Sequence, residues 1–158
     1  MASLPGEPAR LSPIHDIRYN RYMTARFATE QEIINWNTLV VSNPDGGNIF
    51  ASYEYAQQKE TGGYKAHFVM IDSLAVTVLE KSAPGLGRLW YLPKGPGVTD
   101  TKQLLTTLPA LEPLAQKRSV FAIRIESELP RSVGPTLARH GLRKALPIIP
   151  NPSTITLD

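Results

Sequence analysis

Tyr64-Lys65-Ala66-His67-Phe68-Val69-Met70-Ile71, then Asp72-Ser73, then Leu74-Ala75-Val76-Thr77-Val78-Leu79-Glu80 is the stretch whose reading decides the fold. Two apolar runs of strand length stand on either side of two turn-forming residues, and that tight spacing argues an antiparallel hairpin. Ala75, Val76, Val78 and Leu79 are the filling of a pleated, buried surface. Just upstream, Gly62-Gly63 can supply the left-handed turn that closes a helix over Ser52 to Thr61. Just downstream, Pro84-Gly85-Leu86-Gly87 turns the chain into a third strand, Arg88 to Leu92. Pro93-Lys94-Gly95-Pro96-Gly97 then ends it, because neither proline can donate to a ladder.

Further out, Tyr22 to Phe27 alternates as a half-buried strand, and Thr29-Glu30-Gln31-Glu32 is a capping box that opens a helix with Ile33, Trp36, Leu39 and Val40 on its apolar face. Asn43-Pro44-Asp45-Gly46-Gly47 reads as the following loop. On the other side, Asp100 to Lys117 is helical but divided by Pro109 and Pro113. Val120 to Ile125 is an apolar, buried strand, Pro135 to His140 a short helix stopped by Gly141, and Ile155 to Leu157 a final strand. Residues 1–21, with Pro5, Pro8, Pro13 and Gly6 and no hydrophobic period, read as a flexible tail. The order β-α-α-β-β-β-α-β-α-β predicts an α/β (α+β) domain over residues 22–158. It has a mixed, largely antiparallel sheet flanked by helices and is neither a βαβ ladder nor a solenoid.

At 158 residues, with 42% hydrophobic and 20% charged, the chain has the length and composition of one globular domain. Its longest apolar runs fall far short of a membrane span, and no basic segment leads into an apolar one at the N-terminus. The sequence therefore points to the cytoplasm, in keeping with the absence of cysteine. A net charge of +3 is either ordinary solvated surface or a mild attraction for RNA or an anionic membrane.

Motifs that carry their own chemistry are missing. The chain has no Gly-x-Ser-x-Gly, no His-Glu-x-x-His and no P-loop, and His15, His67 and His140 do not form a metal set, so no metal is expected. Gly85-Leu86-Gly87 precedes a strand rather than a helix and reads as a turn. Three features remain. If Ser52 caps its helix, Tyr55 and Lys59 lie four residues apart on one face, which is either a grip for an anionic, ring-containing ligand or an ordinary exposed lysine. Lys94 beside exposed amides either lines a polar groove or belongs to a structural loop. Arg124 and Glu126 alternate on one strand and form either a bridge or the floor of a polar cleft.

Several motifs, in order, carry a family resemblance: Asn43-Pro44-Asp45-Gly46-Gly47; Ser52-Tyr53-Glu54-Tyr55 with Lys59; Gly63-Tyr64; Tyr91-Leu92-Pro93-Lys94-Gly95-Pro96; Ile123-Arg124-Ile125-Glu126; Gly141-Leu142; and Asn151-Pro152 leading into Thr154 to Asp158. From Phe27 to Asp158 the chain resembles the first half of the FemABX family, whose members move amino acids from aminoacyl-tRNA onto peptidoglycan precursors. Relatives usually have tryptophan where this chain has Tyr55. The resemblance implies a GNAT-like subdomain in which Lys59 occupies the place of a lysine that contacts a phosphate of the murein precursor. Tyr55 or Tyr64 would cover a sugar or lactyl-peptide surface, and Lys94 and Arg124 would line the same groove.

It further implies a second GNAT-like subdomain that this sequence does not contain and that holds much of the transfer site, so catalytic residues are not assigned. Aminoacyl-tRNA would be the donor of the intact enzyme and lipid II or a UDP-linked muropeptide the acceptor, met at the inner face of the membrane. No coenzyme A is expected, because no glycine-rich turn runs into a helix. A missing half would leave an apolar face and promote self-association. The alternatives are a stand-alone, non-catalytic module that binds cell-wall precursor or a partner protein, and an RNA-binding domain acting through the basic tail.

Overall fold

The structure is a computed structural model of the chain and describes residues 23–148. The expected tail over residues 1–21, the final strand at Ile155 to Leu157 and the Asn151-Pro152 motif lie outside the described residues. Five strands form one sheet in the order β1 (Ala25–Phe27), β2 (Lys65–Ile71), β3 (Leu74–Ala83), β4 (Gly87–Leu92), β5 (Val120–Ile125). The pairs from β1 to β4 are antiparallel and β4–β5 is parallel. The mixed, largely antiparallel sheet flanked by helices is the architecture that the hairpin spacing and the order of elements predict.

The hairpin forms as read. Ile71 faces Leu74 across a two-residue turn in which Asp72 takes φ 50, a left-handed conformation that aspartate tolerates. The Asp72 carboxylate also accepts from the Thr24 backbone N–H at 3.0 Å, which ties the turn to the entry of β1. Because side chains alternate along each strand, the sheet has two apolar faces. One carries Val69, Ile71, Val76, Val78, Trp90 and Leu92 under α4 (Thr101–Thr107) and α5 (Glu112–Lys117). The other carries Phe68, Met70, Ala75, Leu79 and Tyr91 under α2 (Trp36–Val41) and α3 (Tyr53–Thr61).

The capping box is present: the Thr29 hydroxyl accepts from the Glu32 N–H, and the Glu32 carboxylate accepts from the Thr29 N–H. The helix it opens is interrupted, however. α1 covers Glu30–Ile34 and α2 begins only after Asn35. The Asn35 side chain donates to the Gln31 carbonyl at 2.9 Å while its φ and ψ of −100° and 18° leave the helical region, a local competition for backbone groups that asparagine favours. The break turns Trp36 into the core, fully buried, with its Nε1–H donating to Thr77 Oγ1 at 2.9 Å.

The long helix over 100–117 is divided at its prolines as expected, into α4, a 3-10 turn at Leu108–Leu111, and α5. The expectation of a buried strand at 120–125 needs correction. β5 is half-buried except at Phe121, which is exposed, because β5 pairs only with β4 and lies at the edge of the sheet among the described residues. α6 (Gly134–Arg139) follows, and Gly141 ends it at φ 86.

Candidate functional site

The site is assembled from α3, β4 and β5. Ser52 caps α3, its Oγ accepting from the Tyr55 N–H at 3.2 Å, and that cap fixes where the helix starts and which residues share a face. Lys59 Nζ then lies 5.1 Å from the centroid of the Tyr55 ring, the stacking expected for positions four apart. Phe50 meets the same ring edge-on at 5.1 Å, so Tyr55 is held from two sides.

Beneath Tyr55 lies Tyr91 of β4, a buried member of the same apolar cluster. Its hydroxyl donates to Glu126 Oε2 at 2.9 Å, and the other oxygen of Glu126 accepts from the Ile148 N–H. Burial first, and then the bond to Glu126, pushes the Tyr91 hydroxyl well above the ordinary phenol range, with Tyr55 adding to the rise and Arg124 opposing it. Tyr91 is therefore a fixed, neutral donor. Arg124 is its direct neighbour across the parallel β4–β5 pairing, and Arg124 Nε is buried with no hydrogen-bond partner among the described residues. Arg124 and Glu126 do lie on one face, but it is Tyr91 that takes the Glu126 oxygen, since Glu126 stands one residue beyond the end of β5 and reaches back over β4.

Of the five residues singled out from sequence, Tyr55 and Arg124 lie about Tyr91, and Lys59 sits on the Tyr55 ring. Tyr64 packs against the same cluster but its ring is covered by Lys81, whose Nζ is 5.0 Å from the centroid. Lys94 lies elsewhere, in the loop after β4, with Nζ 3.9 Å from Glu128 Oε1.

That loop is seated by a residue that sequence reasoning left as part of a turn. Asn43 is buried, donating from Nδ2 to the Ala75 carbonyl at 2.9 Å and accepting at Oδ1 from the Ala75 N–H at 3.0 Å. Pairing of β3 with β4 runs only from Leu79 to Ala83, so the amide of Asn43 satisfies backbone groups of β3 that β4 does not reach. Gly97 packs on it at φ +87. A Cβ there would stand 2.4 Å from Asn43 Nδ2, so both the conformation and the space demand glycine.

A second polar centre was not anticipated at all. Glu80, at the far end of β3, is 4% exposed and accepts from Trp90 Nε1 at 2.9 Å and from Arg118 Nε and Nη2 at 2.8 and 3.0 Å. Arg88 Nε lies 3.3 Å from it and His67 Nε2 lies 3.2 Å away without hydrogen-bond geometry. Burial acts to raise the Glu80 carboxyl, but the bonds from Arg118 and Trp90 outweigh it and hold the group down at about 2. Burial pushes the His67 imidazole below its ordinary value, and Glu80 only partly opposes this.

No helix among the described residues is long and apolar enough to cross a membrane. No family model and no curated protein matches the chain. Among solved structures it is similar to a probable acetyltransferase, with 12% identity and a TM-score of 0.49 over 86% of this chain and 99% of that one. It is also similar to an acetyltransferase of Trypanosoma brucei, with 10% identity and a TM-score of 0.45 over 86% and 99% of the two chains. A ribosomal-protein-alanine N-acetyltransferase of Brucella melitensis biovar Abortus gives 16% identity and a TM-score of 0.43, over 86% and 98%.

Proposed function

We propose that the chain is the acceptor-binding half of an aminoacyltransferase of the FemABX type, built as a GNAT-like subdomain, which passes an amino acid from aminoacyl-tRNA to the stem peptide of a peptidoglycan precursor. The observation that carries this reading is the stack of Lys59 on Tyr55 above the Tyr91–Arg124 pair. The cations are Lys59, on the Tyr55 ring, and Arg124, beside Tyr91, and both phenols belong to the apolar cluster under α2 and α3. An ammonium at the end of a capped helix suits a phosphate of the precursor, and the ring of Tyr55 suits the apolar surface beside it. Arg124, with a donor to spare, suits a second anionic or carbonyl group of the same acceptor.

The ester of aminoacyl-tRNA is already activated. Catalysis then consists mainly of orienting the acceptor amine and stabilising oxyanion charge as it develops, and this half supplies the first of these. The test is calorimetric titration of the chain with a UDP-linked muropeptide. Lys59→Ala is expected to weaken binding at least about tenfold, a loss of roughly 1.4 kcal/mol, while the melting temperature stays the same. An unchanged affinity would remove Lys59 from the site and the reading with it.

A further inference from the structure

At the end of the sheet where β2 and β4 begin and β3 finishes, an open groove of about 450 Å³ is lined by Tyr64, Lys65, Glu80, Lys81, Arg88 and Arg118. Four of these side chains are cations and one is an anion. Lys65, Arg88 and Arg118 reach it from the Glu80 face, because Lys65 pairs with Glu80, Arg88 with Ser82, and Arg118 follows α5 directly, while Lys81 alternates to the other face and rims the groove over Tyr64.

The single carboxylate does not cancel them. Glu80 engages Arg118 through Nε and Nη2, and Arg88 through Nε, while Arg88 Nη1 donates to the Arg118 carbonyl at 2.5 Å. Arg118 Nη1 and Arg88 Nη2 make no hydrogen bond among the described residues. Glu80 thus holds two guanidinium groups in fixed orientations and leaves a donor on each. Lys81 is steadied over the Tyr64 ring at the rim, and Lys65 stands beside Glu80 across the β2–β3 pairing. Donors fixed in advance lose little freedom when an anion arrives, and planar guanidinium groups match the oxygens of a phosphate.

We propose that this groove is a binding site for a compact, multiply charged phosphate group such as a diphosphate. It goes beyond the acceptor site, since none of Lys59, Tyr55, Tyr91 and Arg124 lines it. Convergence of Lys65, Arg88 and Arg118 on one groove, with Lys81 at its rim, favours a compact oligophosphate over the extended backbone of a nucleic acid, which calls for charges strung along a track.

The experiment is a titration of the isotopically labelled full chain with inorganic pyrophosphate at physiological salt, followed by backbone amide NMR shifts, with sulfate as the comparison anion. Pyrophosphate is expected to move the amides of 63–65, 80–82, 88 and 118. The double variant Lys65→Gln/Lys81→Gln, both exposed and outside the Glu80 bonds, is expected to weaken the response at least tenfold and keep the rest of the spectrum. An equal response to sulfate, or a response of the double variant matching the parent, would overturn the proposal. So would binding of a single-stranded oligonucleotide with no response to pyrophosphate. Shifts confined to the surroundings of Lys59 would overturn it too while leaving the acceptor reading in place, whereas loss of muropeptide binding alone would leave this groove untouched.

Discussion

Two clusters of charge occupy opposite faces of the same sheet at neighbouring positions, Glu80 paired with Trp90 and Leu79 with Tyr91, and their carboxylates are held in different ways. Around Glu80 the carboxylate has more donors than it can use, and the groups that hold it come from β4 and the end of α5. Around Tyr91 the carboxylate of Glu126 is taken up by a phenol and a backbone amide, and the neighbouring arginine keeps a buried nitrogen with no hydrogen-bond partner among the described residues. Buried polar groups left unpaired cost free energy, and each cluster keeps one such nitrogen among the described residues, His67 Nε2 beside Glu80 and Arg124 Nε beside Tyr91. The difference therefore lies in how each carboxylate is held: by guanidinium groups and an indole in one, by a phenol and a backbone amide in the other.

Breaking the Glu80 cluster has the largest expected effect. Glu80→Ala strips Arg118, Arg88 and Trp90 of their common acceptor, and a buried ion pair broken on one side costs about 3 kcal/mol or more. Chemical denaturation is expected to show that loss, and a change below about 1 kcal/mol would mean the centre is not structural. The same carboxyl sets an acid limit. Its folded value is about 2, below the ordinary 4.5, so the stability it contributes is complete above pH 4.5 and is lost as the pH falls toward 2. Glu80→Ala is expected to flatten that part of the pH–stability curve.

Next in size, Ser52→Ala removes the cap that positions Tyr55 and Lys59, at about 1 kcal/mol in thermal melts. Because the cap also sets the register of α3, ligand affinity at the Lys59 site is expected to fall further than stability does. The smallest effect sharpens the contrast. Arg124→Met takes away a buried unpaired nitrogen and keeps the side-chain volume, so stability is expected to stay within about 0.5 kcal/mol of the parent or to rise. A loss as large as that of Glu80→Ala would place Arg124 in the framework instead.

Local chemistry made most of the fold legible. The capping box at Thr29, the cap at Ser52, the turn at Asp72-Ser73 and the prolines at 109 and 113 each act within a few residues, and each is found where the sequence puts it. The pairing of Tyr55 with Lys59 was readable for the same reason, being a matter of helical spacing. The edge position of β5 was not, because an apolar run reads alike at the centre and at the border of a sheet. Nor was the Glu80 centre: its members at 67, 80, 88, 90 and 118 are scattered through the sequence and meet only through cross-strand register and the return of α5. Alternation along β3 does place Glu80 on the apolar face with Val76 and Val78, and a carboxylate in that position is a signal that a buried partner exists. Asn43 escaped because its role depends on where β4 stops pairing, which no local pattern encodes.

The two tryptophans of the chain fall one to each apolar face, both fully buried, Trp36 edge-on to Phe68 and Trp90 hydrogen-bonded to Glu80 with His67 at 6.3 Å. Each face therefore carries its own fluorophore in a different electronic setting: one indole among hydrocarbon and hydroxyl, the other against a carboxylate and an imidazole that can quench it. Emission from single-tryptophan versions of the chain would follow the two halves of the interior as separate signals, giving this small domain a built-in optical record of whether its two faces come apart together or in turn.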